Sequence, residues 1–215
     1  MMDRQFWLDK WNADEIGFHK DTVHPALAAH LDRLSLSPGA RVFLPLCGKT
    51  RDIGWLLSRG YRVAGAELSD RAIRDLFADL AIAPTLADHG PLTHYTAPGI
   101  DLFGGDIFDL SAADLGPVDA VYDRAALVAL PPETRPRYAE HVTGIAAGAP
   151  QLLVAFDYDQ SAMNGPPFSV EAAQISRYYA RDYEITLLAS DAVEGGLKGR
   201  CPAQETVWLL TRRRG

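Results

Sequence analysis

The sequence predicts an α/β protein: a doubly wound, mostly parallel sheet of seven strands, with helices on both faces and an antiparallel last strand. Three observations carry this. The stretch Arg41–Ser69, RVFLPLCGKTRDIGWLLSRGYRVAGAELS, reads as strand, turn, helix, strand, with Glu67 near its end. Apolar runs and helical periodicities keep alternating after it, which gives five parallel strands. The chain then closes on two apolar runs with no clear helix between them, an antiparallel pair at one side of the sheet. Parallel neighbours need a crossover, nearly always right-handed, and open sheets of this kind bind ligands outside the carboxyl ends of their strands.

Each element follows from local chemistry. Pro25, then Leu27, Leu31 and Leu34, mark a helix with one apolar stripe, and Ser35–Gly39 turns into the first strand. Arg41–Leu46 is a short apolar run closed by Pro45, Cys47 and Gly48. Ile53, Leu56 and Leu57 recur at helical spacing until Gly60, and Arg62–Leu68 is the second strand. Ser69 and Asp70 cap a helix whose buried face is Ala72, Ile73, Leu76, Phe77 and Leu80. Residues 84–99, punctuated by Pro84, Gly90, Pro91, Pro98 and Gly99, read as a loop with room for a short strand. Asp101–Phe103 and Pro117–Asp123 are the next strands. A helix begins at Pro131, Pro132 and Glu133, buries Tyr138, Val142 and Ile145, and tolerates Pro136 only in its first turn. Gln151–Phe156 is a buried strand, and Ser169 is expected to cap a short helix carrying Ile175 and Tyr178. Tyr183–Leu188 and Thr206–Thr211 are the final strands, joined through Ala189–Glu205.

Composition bounds the function. At 215 residues the chain is read as one domain, 1–215, and 47% apolar with 23% charged residues is ordinary for a soluble globular protein; a monomer is expected. A net charge of −7 argues against nucleic acid as the main partner, since phosphate binding needs a basic face. Arg212–Arg214 reads as a solvated tail. No run of about 18 apolar residues exists, and MMDRQFWLDKW lacks the apolar core of a signal peptide, so no membrane role and a cytoplasmic location are expected. Cys47 and Cys201 are too few for a disulfide framework, and the histidines show no metal spacing.

The strand ends collect the chemistry: Pro45–Gly48, Glu67, Asp106-Ile107, Asp123-Arg124 and Asp157. Ribose hydroxyls and an adenine amine are hydrogen-bond donors, which carboxylates such as Glu67 and Asp106 accept. A carboxylate roughly 20 residues past the first turn is where an adenosine ribose is usually gripped. That turn, PLCGKTRD, has a single glycine, so a pyrophosphate would lack its close backbone approach, which weighs against a dinucleotide dehydrogenase. Cys47 and Lys49 in the turn suit a catalytic thiol or a phosphate-binding lysine; the surrounding pattern favours packing. Near the start, Phe6, Trp7, Trp11, Ile16, Phe18 and His19 lie close together. Two readings stand for residues 1–23: a helix packed on the sheet, or an aromatic lid over a flat ligand.

Several stretches resemble one family. FWLDKWNADEIGFH (6–19), VFLPLCGKTRDIGWL (42–56), VAGAELS (63–69), DIFDL (106–110), YDRAALVALPPETRPRYA (122–139) and GPPFSV (165–170) are similar to the thiopurine S-methyltransferases, PLCGK and DRAALVALP being the most distinctive. The resemblance covers about Phe6–Val170 and the closing ETVWLLT. It implies a Rossmann-like class I methyltransferase fold and S-adenosylmethionine as methyl donor. The acceptor it implies is a thiol (thiopurine or aryl thiol) or a selenium or tellurium compound. Carried over, Trp11 lies against the cofactor and Leu46 near its methionine end. Glu67 holds the ribose, Asp106 and Ile107 the adenine. Arg124 stands by cofactor and acceptor as the catalytic candidate, and Phe18 lies near the acceptor. EGGLKGRCPAQ (194–204) departs from the family pattern, in which thiopurine-binding members place a second arginine; Lys198 and Arg200 are the cations available there. Two other classes stand beside this one: a non-catalytic S-adenosylmethionine-binding module and, disfavoured by the turn, a nicotinamide oxidoreductase.

Overall fold

In the computed structural model, which describes residues 4–213, the chain begins with α1 (Arg4–Asn12) and α2 (Pro25–His30). Residues 1–3 of the expected lid and Arg214 of the expected basic tail lie outside the described residues. Next come β1 (Arg41–Pro45), α3 (Arg51–Ser58), β2 (Arg62–Glu67) and α4 (Asp70–Asp79). They are followed by β3 (Thr85–His89), β4 (Leu92–Ala97), β5 (Ile100–Gly104), α5 (Ala112–Leu115), β6 (Ala120–Arg124) and α6 (Arg135–Ile145). The chain closes with β7 (Gln151–Asp157), α7 (Ala172–Tyr179), β8 (Tyr183–Ala192) and β9 (Gln204–Arg212).

The strands form one sheet of nine in the order β3-β4-β5-β2-β1-β6-β7-β9-β8. β5, β2, β1, β6 and β7 are parallel, and β9 runs antiparallel between β7 and β8. The expected seven strands are all present; the count is corrected by a hairpin, β3–β4, added antiparallel to the edge at β5. Its breakers misled the reading, because they sit between strands rather than inside one. Gly90-Pro91 closes β3 onto β4 and Pro98-Gly99 closes β4 onto β5, with Gly90 and Gly99 at φ 62° and 79°. The two segments are therefore strands with two-residue turns, not one loop.

The pleat sorts side chains onto two cores. Phe43, Phe103, Val121 and Leu153 face one way, against Tyr138 and Val142 of α6 and Ile175 of α7. Val42, Leu44, Tyr122 and Leu152 face the other, against Leu27 of α2, Ile53 and Leu56 of α3, and Ile73 and Phe77 of α4. Each fully buried Leu, Ile or Phe contributes roughly 1.5–3 kcal/mol, so these two layers fix strand register. Caps fix the helix starts: Thr50 Oγ1 accepts from Asp52 N at 3.3 Å and Ser69 Oγ from Ala72 N at 3.3 Å. Ser169 does not cap α7. Its Oγ accepts from Tyr158 N at 3.0 Å, and Glu171 occupies the cap position instead.

The winding reverses at β1. From β1 the chain moves outward through β2 and β5, then returns to place β6 on the other side of β1. That switch point opens a crevice at the carboxyl ends of β1 and β6.

Asp123, at the end of β6, is fully buried on the α6 face, where it accepts from Leu127 N at 3.1 Å and from the Tyr138 hydroxyl at 2.8 Å. Burial raises its pKa to about 6 despite those donors. The folded state therefore holds this proton more tightly than the unfolded chain. The stabilisation is full below the unfolded pKa near 4 and is lost as pH rises through about 6. Denaturant unfolding between pH 4 and 7 should show the wild type losing up to about 3 kcal/mol relative to Asp123→Asn across that window. The comparison with the variant removes Glu67, whose pKa is raised in the same direction by burial. A constant difference between the two proteins across the window would show that Asp123 does not titrate there.

Candidate active site

Where β1 ends, Leu46 leaves the strand at φ 46° and Gly48 at φ 53°, so the chain doubles back before α3. A branched aliphatic side chain in the left-handed region is an outlier that its surroundings must enforce, and such outliers cluster at functional sites. Glu67 does the enforcing. It is buried at the end of β2, with Oε2 accepting from Gly48 N and Oε1 from Ser69 N, both at 2.8 Å. Burial raises its pKa, and the N–H donors of Ser69, Gly48 and Leu68 pull it back toward the ionised form. Each carboxylate oxygen has a second lone-pair direction, so both can also accept from a ligand hydroxyl.

A cavity of about 360 Å³ opens above this turn, a size usual for small-molecule sites. The structure brings Trp11, Phe18, Leu46, Glu67, Asp106, Ile107 and Arg124 into its lining, each residue to which the family resemblance gives a role at the cofactor or acceptor. Asp106 caps the short turn Ile107–Asp109 through Phe108 N at 3.1 Å, and its other oxygen faces Arg4 of α1 at 3.7 Å. Ile107 is buried, its carbonyl held by the His141 ring at 2.7 Å. Across β1, Tyr122 and Arg124 share the α3 face of β6, and Ala125 follows at φ 64°, a second non-glycine residue in the left-handed region. Among the described residues no side-chain hydrogen bond or ion pair occupies Arg124. Burial alone would raise the Glu205 carboxyl, but the His24 hydrogen bond and charge, and after them the Arg124 charge, hold it below its usual range.

The N-terminal segment contributes aromatic edges to the cavity lining. Phe6 meets Trp7 at 5.3 Å, Trp7 meets Phe18 at 5.7 Å, and Phe18 meets Trp11 at 5.6 Å, all edge to face. Trp11 is 3% exposed and lies over Gly48, where an added Cβ would stand 3.1 Å from the indole. Arg71 of α4 anchors the segment by donating to Asn12 O at 2.9 Å.

Other residues of the strand-end set are not brought to the cavity. Asp123 points to the opposite face, and Asp157, at the end of β7, is not among the lining residues. Cys47 lines the cavity but is buried, and burial, then Glu67, pushes its thiol well above the usual range, so it stays protonated and packs. Lys49 pairs with Asp75 at 3.7 Å. In the late connection, Lys198 donates to Pro166 O at 2.7 Å and Arg200 is exposed; neither lines the cavity. Trp7 and His19, named in the aromatic cluster near the start, also line the cavity, whereas sequence reading missed Asp52, Tyr122 and Arg137. Asp52 reads as an ordinary first-turn carboxylate and Tyr122 as core, and only the fold turns them inward.

A sequence model of the thiopurine S-methyltransferases matches residues 2–213, well beyond the stretches quoted above. A thiopurine S-methyltransferase of Xanthobacter autotrophicus is 52% identical over 98% of this chain and 100% of its own. One of Gluconobacter oxydans is 50% identical over 96% of this chain and 94% of its own. Among solved structures, a methyltransferase from Burkholderia thailandensis with bound 1,6-didemethyltoxoflavin and S-adenosylhomocysteine superposes with a TM-score of 0.65 at 15% identity, covering 97% of this chain and 87% of that one. Magnesium protoporphyrin IX methyltransferase from Synechocystis, with bound S-adenosylhomocysteine, gives a TM-score of 0.63 at 14% identity over 97% and 100%. These likenesses establish the class I methyltransferase fold. The chain belongs to the thiopurine S-methyltransferase family and is an S-adenosylmethionine-dependent S-methyltransferase.

Proposed function

We propose that the protein transfers a methyl group to the sulfur of a small thiol, a thiopurine or an aryl thiol, or to a selenium or tellurium compound, and that the cavity over β1 and β6 is where it does so. The observation that carries this is Glu67, a buried carboxylate at the ribose position whose two oxygens brace the turn and retain capacity for hydroxyl donors. The donor set fits S-adenosylmethionine. Asp106 and Ile107 stand where the adenine belongs, Glu67 where the ribose does, and Leu46 and Arg124 toward the methionine end, with Trp11 closing over Gly48. Phe18 and Arg124 face the acceptor.

The bound cofactor supplies an electrophilic methyl group on a sulfonium. The chain's own contribution is alignment and exclusion of water, since displacement at that carbon discharges the donor's positive charge and needs no large new one stabilised. The edge-to-face aromatics of residues 6–18 cover the opening, and the lid over the cofactor is read as residues 1–23. A thiol reacts as its thiolate, and an unpaired guanidinium beside it favours that anion. Arg124 is placed to do this, because no protein carboxylate holds it in an ion pair among the described residues.

The same reading takes residues 1–215 as one domain acting as a monomer in the cytoplasm on small molecules rather than nucleic acid. Its net charge of −7 supports the last point. No helix among the described residues is long and apolar enough to cross a membrane.

Two variants test the assignment. Glu67→Ala should weaken S-adenosylhomocysteine binding at least about tenfold by calorimetry, the loss expected for hydrogen bonds to a charged group; unchanged affinity would sink the ribose assignment. Arg124→Ala should lower kcat about 10- to 100-fold at neutral pH, more than it lowers cofactor affinity, and recover partly at high pH where a free thiol ionises. Equal losses in kcat and in cofactor affinity would reduce Arg124 to a wall of the cofactor pocket.

A further inference from the structure

Two buried polar atoms of the cavity have no partner. Asp52, in the first turn of α3, is 1% exposed; one oxygen accepts from His24 N at 2.8 Å, and Oδ2 has no hydrogen bond. Tyr122 Oη on β6, also buried, closes no well-formed hydrogen bond either; burial first, and then the neighbouring Asp52 carboxylate, push its hydroxyl pKa well up against the opposing charge of Arg124. Both residues line the cavity. Leaving a buried carboxylate oxygen unpaired is costly, and the cost is removed best by a cation.

No side-chain cation among the described residues closes an ion pair with Asp52, and Arg124, which lines the same cavity, forms none. Lys49 is held by Asp75 at 3.7 Å and Arg51 by Asp79 at 3.4 Å. His24 accepts from Ala26 N through Nδ1, which leaves its proton on Nε2, directed at Glu205 at 3.4 Å. No ion pair to Asp52 exists among the described residues. The place is informative as well. Asp52 follows the turn that Glu67 braces, and Tyr122 stands on β6, across β1 from β2 and β5. The pair therefore lies past the ribose position, on the side away from Asp106. An S-adenosyl amino acid carries its α-ammonium there, at the end opposite its adenine.

We propose that Asp52 Oδ2 and Tyr122 Oη form the site for the α-ammonium group of S-adenosylmethionine, each accepting one N–H. The assignment rests on the reading of Glu67 as the ribose grip. It makes Asp52 a cofactor-binding residue that distinguishes the amino-acid-bearing nucleoside from its truncated form.

Calorimetry with two ligands tests it: S-adenosylhomocysteine, and 5′-methylthioadenosine, which keeps adenine and ribose but has no amino acid. Asp52→Asn keeps an oxygen for His24 N–H and replaces the free acceptor by a donor. It should weaken S-adenosylhomocysteine about 10- to 100-fold, the loss expected for hydrogen bonds to a charged group, and leave 5′-methylthioadenosine unchanged. Tyr122→Phe should lose about 3- to 10-fold with the first ligand alone. Removing the amino group from the ligand should weaken its binding to the wild type by the same factor as Asp52→Asn, a measurement that needs no variant to fold. Equal weakening of both ligands by Asp52→Asn would overturn the proposal and make Asp52 a shaper of the pocket. Unchanged S-adenosylhomocysteine binding with a raised acceptor KM would also overturn it, and would assign the pair to the acceptor. Failure of the ribose reading is distinguishable, because Glu67→Ala must weaken both ligands whereas Asp52→Asn must weaken only one.

Discussion

The cavity depends on one carboxylate. Glu67 ends β2, yet its side chain reaches Gly48 N in the turn after β1 and Ser69 N at the start of α4, each at 2.8 Å. Without it, two backbone N–H groups lose their acceptor, and the left-handed Leu46 loses the clamp that opposes its strain. Trp11 in turn rests on Gly48 because that residue has no Cβ. The turn and the N-terminal segment thus share a single anchor. Burial works against the anchor by raising the pKa of Glu67, and three backbone donors answer by favouring the ionised form. Hydroxyl donors from a ligand would tip the same balance further, so binding and ionisation of Glu67 reinforce each other.

The second constraint is the switch point. Because β2 and β6 flank β1, residues from both halves of the fold meet over one short turn. Leu46 after β1 and Ala125 after β6 both take positive φ, so the two strands turn aside at the same edge and leave the crevice between them. Parity then divides β6. Tyr122 and Arg124 face the cavity, while Asp123 between them faces α6 and bonds Tyr138 at 2.8 Å. A strand that ends in three polar residues lines the cavity on one face and serves tertiary packing on the other.

This division explains what was legible in the sequence. Strand ends could be read from apolar runs and breakers, so Leu46, Glu67, Asp106, Ile107 and Arg124 were found, and family resemblance placed Trp11 and Phe18. The face on which a strand-end residue points could not be read where the strand is buried on both sides, because alternation vanishes there. Asp123 was therefore grouped with Arg124 although it lies behind the sheet. The β3–β4 hairpin was hidden for a different reason: five breakers among residues 84–99 outweighed its short alternating strands. Asp52 had an adequate local explanation as a first-turn carboxylate, and its unpaired oxygen exists only once β6 is laid beside β1.

Charge around the switch point is arranged so that two groups of opposite sign stay unpaired. Lys49, Arg51 and Arg71 are tied to Asp75, Asp79 and Asp14, and Arg4 to Asp106. Glu205 is occupied by His24. Among the described lining residues, Glu67 and Arg137 also form no ion pair, but Glu67 is taken up by backbone N–H donors and Arg137 lies over the Phe108 ring at 3.8 Å. That leaves the Arg124 guanidinium and one oxygen of Asp52, on the same face of the sheet. A cation and an anion left apart in a cavity cost more desolvation than a closed pair would. A ligand that brings both signs recovers that cost at once, and a zwitterionic amino acid end does so. Arg124 can then attract a negative acceptor only to the extent that its charge is not already neutralised from the cofactor side. The comparison of kcat with cofactor affinity in Arg124→Ala measures how that charge is divided, and Asp52 is the group that sets the opposite end of the balance.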